Sequence, residues 1–404
     1  CFPECFLREK KCFLGTPLFA VPGITGYCRA QYTHVHHQNT GIIMSHGREK
    51  MATLFLVSIV LFASSGTPLV AASLTYPACR DGFTCAPVTP AGSGMTFDCA
   101  YIGATASPTR GQVYHMHGND GKRAKAMFFD TMLQLAALGY ASVACDARGY
   151  SPGASPFDYG AYHYDKLAAD IIDIVDAMGF GEKFDGKFHL VTHDQGARVA
   201  WHSIAKNITR PRLLSFTSLS IPHSDVFSDA LLSAHPDANQ QLAAQYVRML
   251  VLPNSTLVQN KTIFHKVCEP EGWSETWACQ PSLWWYNGAI DSGAMALTKW
   301  DPNAAISPVS KYVGIDFKTV EKLTQYPLEG VAQSVRVGRV DEFPVLYACG
   351  SLDTSDLCES AFDTESRALI GKYTYLKVVG CGHDVLGCKQ AQTYIDAIIK
   401  NIQQ

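Results

Sequence analysis

The stretch HLVTHDQGARVAW, His189 to Trp201, decides how the chain is read. Phe188–Val191 has strand character, Ala197–Ala205 reads as a helix, and the two meet in a short turn whose tip is Asp194. Gly196 permits close approach of helix and strand. Two readings of Asp194 follow. An acidic residue before a helix is a common N-terminal cap. A side chain raised on a tight strand-to-helix turn is also how an open α/β sheet presents a nucleophile, with the next residue's N–H facing the developing oxyanion. Here that residue is Gln195, and taken alone the stretch supports both readings.

Working outward, apolar runs recur at Phe97–Gly103, Gln112–His117, Ala141–Cys145, Phe188–Asp194, Leu213–Ile221, Phe343–Cys349 and Tyr373–Val379. Helical patterns separate several of them; Leu167, Ile171, Ile174 and Val175 share one face. Alternating strand and helix predicts an α/β fold, a mostly parallel sheet flanked by helices. The rhythm breaks after Pro222 and resumes at Phe343. Residues 224–342 therefore read as an inserted, mainly helical lid between two parts of one core, 73–223 and 343–404.

The chain has 404 residues, 47% hydrophobic and 17% charged, with a net charge of -3. That is ample for a large core, and no charge run points to nucleic acid. Residues 1–50 carry no sustained period and read as an upstream segment without structure. Arg48 and Lys50 flank Met51, an apolar run follows from Ala52 to Ala63, and Val70-Ala71-Ala72 is a small-residue cleavage site. These are the parts of a secretory signal peptide over 51–72. A retained anchor is the rival; Gly66 and Pro68 interrupt the run, so no stable membrane span is expected in the mature chain. Ten of the 14 cysteines follow Ser73, an even number compatible with full pairing after export. Cys349/Cys358 and Cys381/Cys388 bracket two short loops, although spacing does not fix the connectivity. Asn207, Asn254 and Asn260 head glycosylation tripeptides.

A nucleophile on such a turn needs an acid and then a histidine further along the chain. One strand runs into Gly350-Ser351-Leu352-Asp353, with Asp356 as an equal candidate; the next runs into Gly380-Cys381-Gly382-His383. Both lie at strand ends where open α/β sheets bind ligands. His115-Met116-His117-Gly118-Asn119 follows an earlier strand, and the Asn119 N–H would be the second oxyanion donor beside Gln195. His115 and His117 alternate as metal ligands can, but no third ligand is evident and a structural role under the turn is preferred. Gly149-Tyr150-Ser151-Pro152-Gly153 matches a serine-nucleophile pattern, yet Pro152 has no N–H to donate, so Ser151 reads as a turn residue.

HMHGND, ACDARGYSPGASP, HLVTHDQGARVAW, SLSIPH, YACGSLD and CGHD in this order resemble the α/β-hydrolase superfamily, and more closely its epoxide hydrolase branch. The resemblance runs from about Phe97 to Ile402. It implies an α/β-hydrolase fold, Asp194 as nucleophile, Asp353 and His383 completing the set, and two lid tyrosines that donate to the epoxide oxygen. Tyr246 stands seven residues before Pro253 in QYVRMLVLP, and Tyr286 follows Trp285 in SLWWYNGA. The chain departs from the branch in having HGND for HGFP, Thr192 for the elbow's first glycine, and Gln195 for tryptophan. The HGN form is similar to haloalkane dehalogenases, which makes halide displacement the alternative; a catalytically inactive binding protein is the third. The implied substrate is a small hydrophobic organic molecule, and no metal or organic cofactor is implied. The sequence leaves the oligomeric state open.

Overall fold

The structure, a computed structural model, describes residues 79–104, 109–119, 121–180, 184–251, 268–269, 272, 276–301, 322 and 324–404. The upstream segment, the signal-like run, Pro253 and the tripeptides at Asn254 and Asn260 lie outside the described residues.

Strands β1 (Thr84–Val88), β2 (Phe97–Ile102), β3 (Gly111–Met116), β4 (Tyr140–Cys145), β5 (Phe188–His193), β6 (Leu213–Leu219), β7 (Val345–Gly350) and β8 (Tyr373–Val378) form one sheet. Its order is β1-β2-β4-β3-β5-β6-β7-β8. The β1–β2 and β2–β4 pairs are antiparallel, and every later pair is parallel. Strands β3, β5 and β7 are buried along their whole length, as expected where helices cover both faces. The sequence reading omits β1, because its five residues, TCAPV, are half exposed and include Pro87. An edge position tolerates the missing N–H.

On one face, α2 (Tyr164–Ala177) buries Leu167, Ile171, Ile174 and Val175, and α3 (Gln195–Ala205) buries Val199, Trp201 and Ile204. Each such side chain contributes roughly 1.5–3 kcal/mol of transfer free energy. On the other, α1 (Phe129–Ala137) and α9 (Ala391–Ile402) enclose Met132, Leu135, Tyr394 and Ile398.

Between β6 and β7 the described chain carries four helices, α4 (Ser224–Leu232), α5 (Ala238–Ala243), α6 (Gln245–Leu250) and α7 (Thr276–Asp291), and irregular stretches joined by a Leu297–Val331 bridge. Helix α8 (Ser360–Leu369) precedes β8. Trp284 and Trp285 of α7 are buried, and the Trp285 indole donates to the Arg148 carbonyl at 2.7 Å. Arg148 is itself fixed by a double hydrogen bond to Asp170 of α2, at 2.8 and 2.6 Å. The ARGYSP stretch thus supports α7 from below, and Ser151 is a buried turn residue bonded to the Asp98 N–H at 2.8 Å.

All ten cysteines after residue 73 pair: Cys79–Cys85, Cys99–Cys145, Cys268–Cys279, Cys349–Cys358 and Cys381–Cys388. No helix among the described residues is long and apolar enough to cross a membrane.

Candidate active site

Strand β5 ends at His193 and α3 begins at Gln195, so Asp194 makes the whole turn, with φ 47° and ψ -124°. A non-glycine residue in the left-handed region is strained and persists only where its surroundings enforce it. Here the Asp194 N–H donates to the Leu219 carbonyl at 3.2 Å, and its carbonyl accepts from the N–H groups of Ala197 and Arg198 at 2.9 and 3.2 Å. Two glycines make the crossing possible. A Cβ on Gly118 would lie 2.5 Å from the Asp194 Cβ and 2.6 Å from the Gln195 N, and one on Gly196 would collide with the carbonyls of His117 and Met116.

Asp194 occupies the cap position, yet its side chain caps nothing. Oδ2 accepts from the Asn119 N–H at 2.8 Å, and Oδ1 lies 3.3 Å from His383 Nε2. The second donor named from sequence, the Gln195 N–H, belongs to the first residue of α3, where N–H groups have no partner one turn back in the helix.

The other His383 nitrogen, Nδ1, lies 2.7 Å from Asp353 Oδ2. The imidazole therefore stands between two carboxylates. Burial alone would favour its neutral form, but the charge of Asp353 and the bond to Asp194 outweigh it and hold His383 well above its ordinary range. Burial likewise pushes both carboxyls up, and His383 wins again, keeping Asp194 and Asp353 below the usual carboxylate range. The backbone carbonyl of His383 is pinned by Ser220 Oγ at 2.7 Å and His193 Nε2 at 3.0 Å.

Of the two acids left open by the sequence, Asp353 is the one that faces His383 Nδ1. Asp356 turns to Arg198, the residue one helical turn past Asp194, in a buried ion pair. Burial pushes the Asp356 carboxyl up to about 6 against the pull of Arg198 and His383. Atoms of Asp194, Asp356 and His383 lie within 4.8 Å of one another, as metal ligands can. The positive charge that balances these carboxylates comes from His383 and Arg198.

Tyr246 of α6 and Tyr286 of α7 meet edge to face, with ring centroids 6.2 Å apart. The Tyr286 phenol faces the side-chain amides of Asn119 and Gln195. Burial and the neighbouring charge of Asp194 raise both phenols above their ordinary range, so each carries its proton at neutral pH. The amides are held in turn: Tyr150 donates to Asn119 Oδ1 at 2.8 Å and Tyr164 to Gln195 Oε1 at 2.6 Å. His117 is buried under the turn, its Nε2 accepting from the Ala147 N–H at 2.9 Å. His115 is buried against Phe128 and belongs to the core.

Sequence reasoning missed Arg198, Tyr150, Tyr164 and Ser355. Only Arg198 left a trace, standing at i+4 from Asp194 and hence on the same face of α3.

Residues 113–397 match the model of the Alpha/beta hydrolase family, and the chain belongs to that family. Part of it is 33% identical over 97 residues to epoxide hydrolase 4 of Mus musculus, covering 24% of this chain and 25% of that protein. It is 29% identical over 127 residues to the AB hydrolase superfamily protein YfhM of Bacillus subtilis, covering 31% of this chain and 42% of that one. These matches span less than half of either relative. Among solved structures, an epoxide hydrolase from metagenomes of hot environments superposes with a TM-score of 0.57 at 19% identity, over 80% of this chain and 99% of that one. A Bacillus megaterium epoxide hydrolase, as its F128A mutant with a bound diol product, gives 0.52 at 15% identity over 79% and 99%. At such identities the likeness is one of fold.

Proposed function

We propose that the protein is an epoxide hydrolase that works through an ester on Asp194. The observation that carries this reading is an aspartate, in place of serine, at the elbow tip, with its carboxylate on His383 and the Asn119 N–H while two protonated tyrosines stand nearby. An ionised carboxylate suits displacement at a saturated carbon and needs no base in that step. Asp194 Oδ attacks one epoxide carbon, the C–O bond breaks, and Tyr246 or Tyr286 gives its proton to the departing oxygen. Ester formation removes the Asp194 charge, so His383 loses one of the two carboxylates that hold its proton. That proton returns to the phenolate.

Neutral His383, oriented by Asp353, then takes a proton from water as the water oxygen attacks the Asp194 carbonyl carbon. The Asn119 and Gln195 N–H groups stabilise the oxyanion. Collapse releases the diol, which takes the proton from His383, and the proton of the new Asp194 carboxyl restores the imidazolium. The small hydrophobic substrates implied by this chemistry would enter beneath residues 224–342, which we read as a lid over the core parts 73–223 and 343–404. We also read the protein as exported: five disulfides fit an oxidising compartment, and Asn207 of the first glycosylation tripeptide is exposed.

The decisive experiment is single turnover in heavy-oxygen water with a panel of epoxides, followed by mass spectrometry of the Asp194 peptide. The label should enter the Asp194 carboxylate, and Asp194→Ala should form no diol. Full activity in Asp194→Ala would end this reading. Halide release from haloalkanes without diol formation from epoxides would favour the dehalogenase alternative.

A further inference from the structure

The turn that carries Asp353 contains a hydroxyl that no step above uses. Ser355 Oγ lies 2.9 Å from Asp353 Oδ1 and 3.1 Å from His383 Nδ1. The Ser355 and Asp356 N–H groups also donate to Asp353 Oδ1, at 2.9 and 3.1 Å. The two carboxylate oxygens thus have separate duties. Oδ1 is filled by three donors of its own turn, which stops the carboxylate from rotating, and Oδ2 is left for the imidazole. Because the Ser355 hydroxyl donates to a carboxylate, its lone pairs face His383, and the Nδ1–H is shared between Asp353 Oδ2 and Ser355 Oγ.

Ser355 is in turn held from outside the turn. Gln240 of α5, fully buried, donates through Nε2 to the Ser355 carbonyl at 2.9 Å and accepts from the Leu357 N–H at 2.8 Å. One side chain from the helical segment between β6 and β7 therefore grips the acid turn on both sides of Asp356. The segment carrying Tyr246 is tied by this bond pair to the group that orients His383.

We propose that Ser355 is a positioning residue for ester hydrolysis, and that Gln240 couples the packing of the helical insertion to the orientation of His383 through it. The proposal rests on reading Asp194 as the ester-forming nucleophile. It assigns Ser355 to the second half of the reaction only, because ring opening needs the Asp194 carboxylate and a phenol but not a basic imidazole.

Rapid-quench mass spectrometry with a panel of epoxides headed by styrene oxide separates the two halves, by timing the appearance and decay of the Asp194 adduct. In Ser355→Ala, adduct formation should stay within about twofold of wild type while its decay slows about tenfold, the worth of one hydrogen bond to a charged group. Ser355→Thr should restore most of the decay rate. Gln240→Met should slow decay several-fold while leaving formation in place. Decay at the wild-type rate in Ser355→Ala, or formation and decay falling together, overturns the role of Ser355. Wild-type decay in Gln240→Met overturns the coupling. If wild type itself forms no Asp194 adduct while making diol, the nucleophile assignment has failed, an outcome distinct from either.

Discussion

Arg198 and Asp356 form a buried ion pair that joins the helix after Asp194 to the turn after Asp353. Asp356 is thereby removed from competition for His383, although it lies only three residues from the acid that faces the imidazole. The pair's guanidinium also sits 4.4 Å from the centroid of Phe227, which leaves it little access to water.

The two acids should therefore fail in different ways when each becomes an asparagine. Asp356→Asn leaves a buried guanidinium without its counter-charge, and should cost about 3–5 kcal/mol of stability. Asp353→Asn should leave the fold in place and slow turnover by on the order of 10,000-fold, as loss of an orienting carboxylate does in other histidine-based sites. Urea unfolding and steady-state kinetics on both variants check this; exchanged phenotypes would mean that the acid has been misassigned.

His383→Gln should separate ester formation from its hydrolysis. With Asp194 still ionised and both phenols in place, one equivalent of epoxide should add to the enzyme and stay. Intact-protein mass spectrometry would reveal a stable adduct of substrate mass, and steady diol production by the variant would contradict the scheme.

Gly118 is the next weak point. A methyl group there would press on the Asp194 Cβ and the Gln195 backbone, neither of which can give way without opening the elbow. Gly118→Ala should lower turnover by about 100- to 1000-fold, the value of one oxyanion donor, with far-ultraviolet circular dichroism unchanged. Near-wild-type activity would place the oxyanion donors elsewhere.

Acid should destabilise the protein through the same residues. Asp194 and Asp353 have folded-state values below the ordinary range of about 3.9, because His383 outweighs their burial. A depressed carboxyl contributes stability above its unfolded value and loses it as pH falls through the folded one. Asp356, raised by burial to about 6, has the opposite sign: its contribution shrinks as pH rises through that value. The urea midpoint should fall steeply below about pH 4, and His383→Gln should flatten that fall. An equally steep fall in the variant would assign acid lability to other carboxylates.

Much of this was legible in the sequence because the fold advertises itself through buried strands. Seven apolar runs mark β2 to β8, and the parallel strands β3, β5 and β7, buried along their whole length, have no polar side to blur the pattern. Asp194, Asp353 and His383 could be found because each stands just past a strand end, and strand ends are easy to read. Strand β1 was hidden by Pro87 and by its half-exposed edge. Ser355 and Gln240 were hidden for a different reason: they are 115 residues apart and meet only through tertiary packing. Nothing local distinguishes such a serine from any other turn residue. On its own stretch Asp194 is ambiguous, since a cap and an elbow share the same letters; it is Asp353 and His383 further along the chain that favour the nucleophile.

The disulfides Cys349–Cys358 and Cys381–Cys388 enclose Asp353 and His383 in separate covalent rings, spanning 9 and 7 positions of sequence. Each ring begins at or just beyond the end of a sheet strand and closes on itself. The consequence is one of wiring: the two rings share no cysteine, so the turn of Asp353 and the turn of His383 meet through hydrogen bonds alone, among them Leu352 N–H to the Cys381 carbonyl at 2.8 Å and His383 Nδ1 to Asp353 Oδ2 at 2.7 Å.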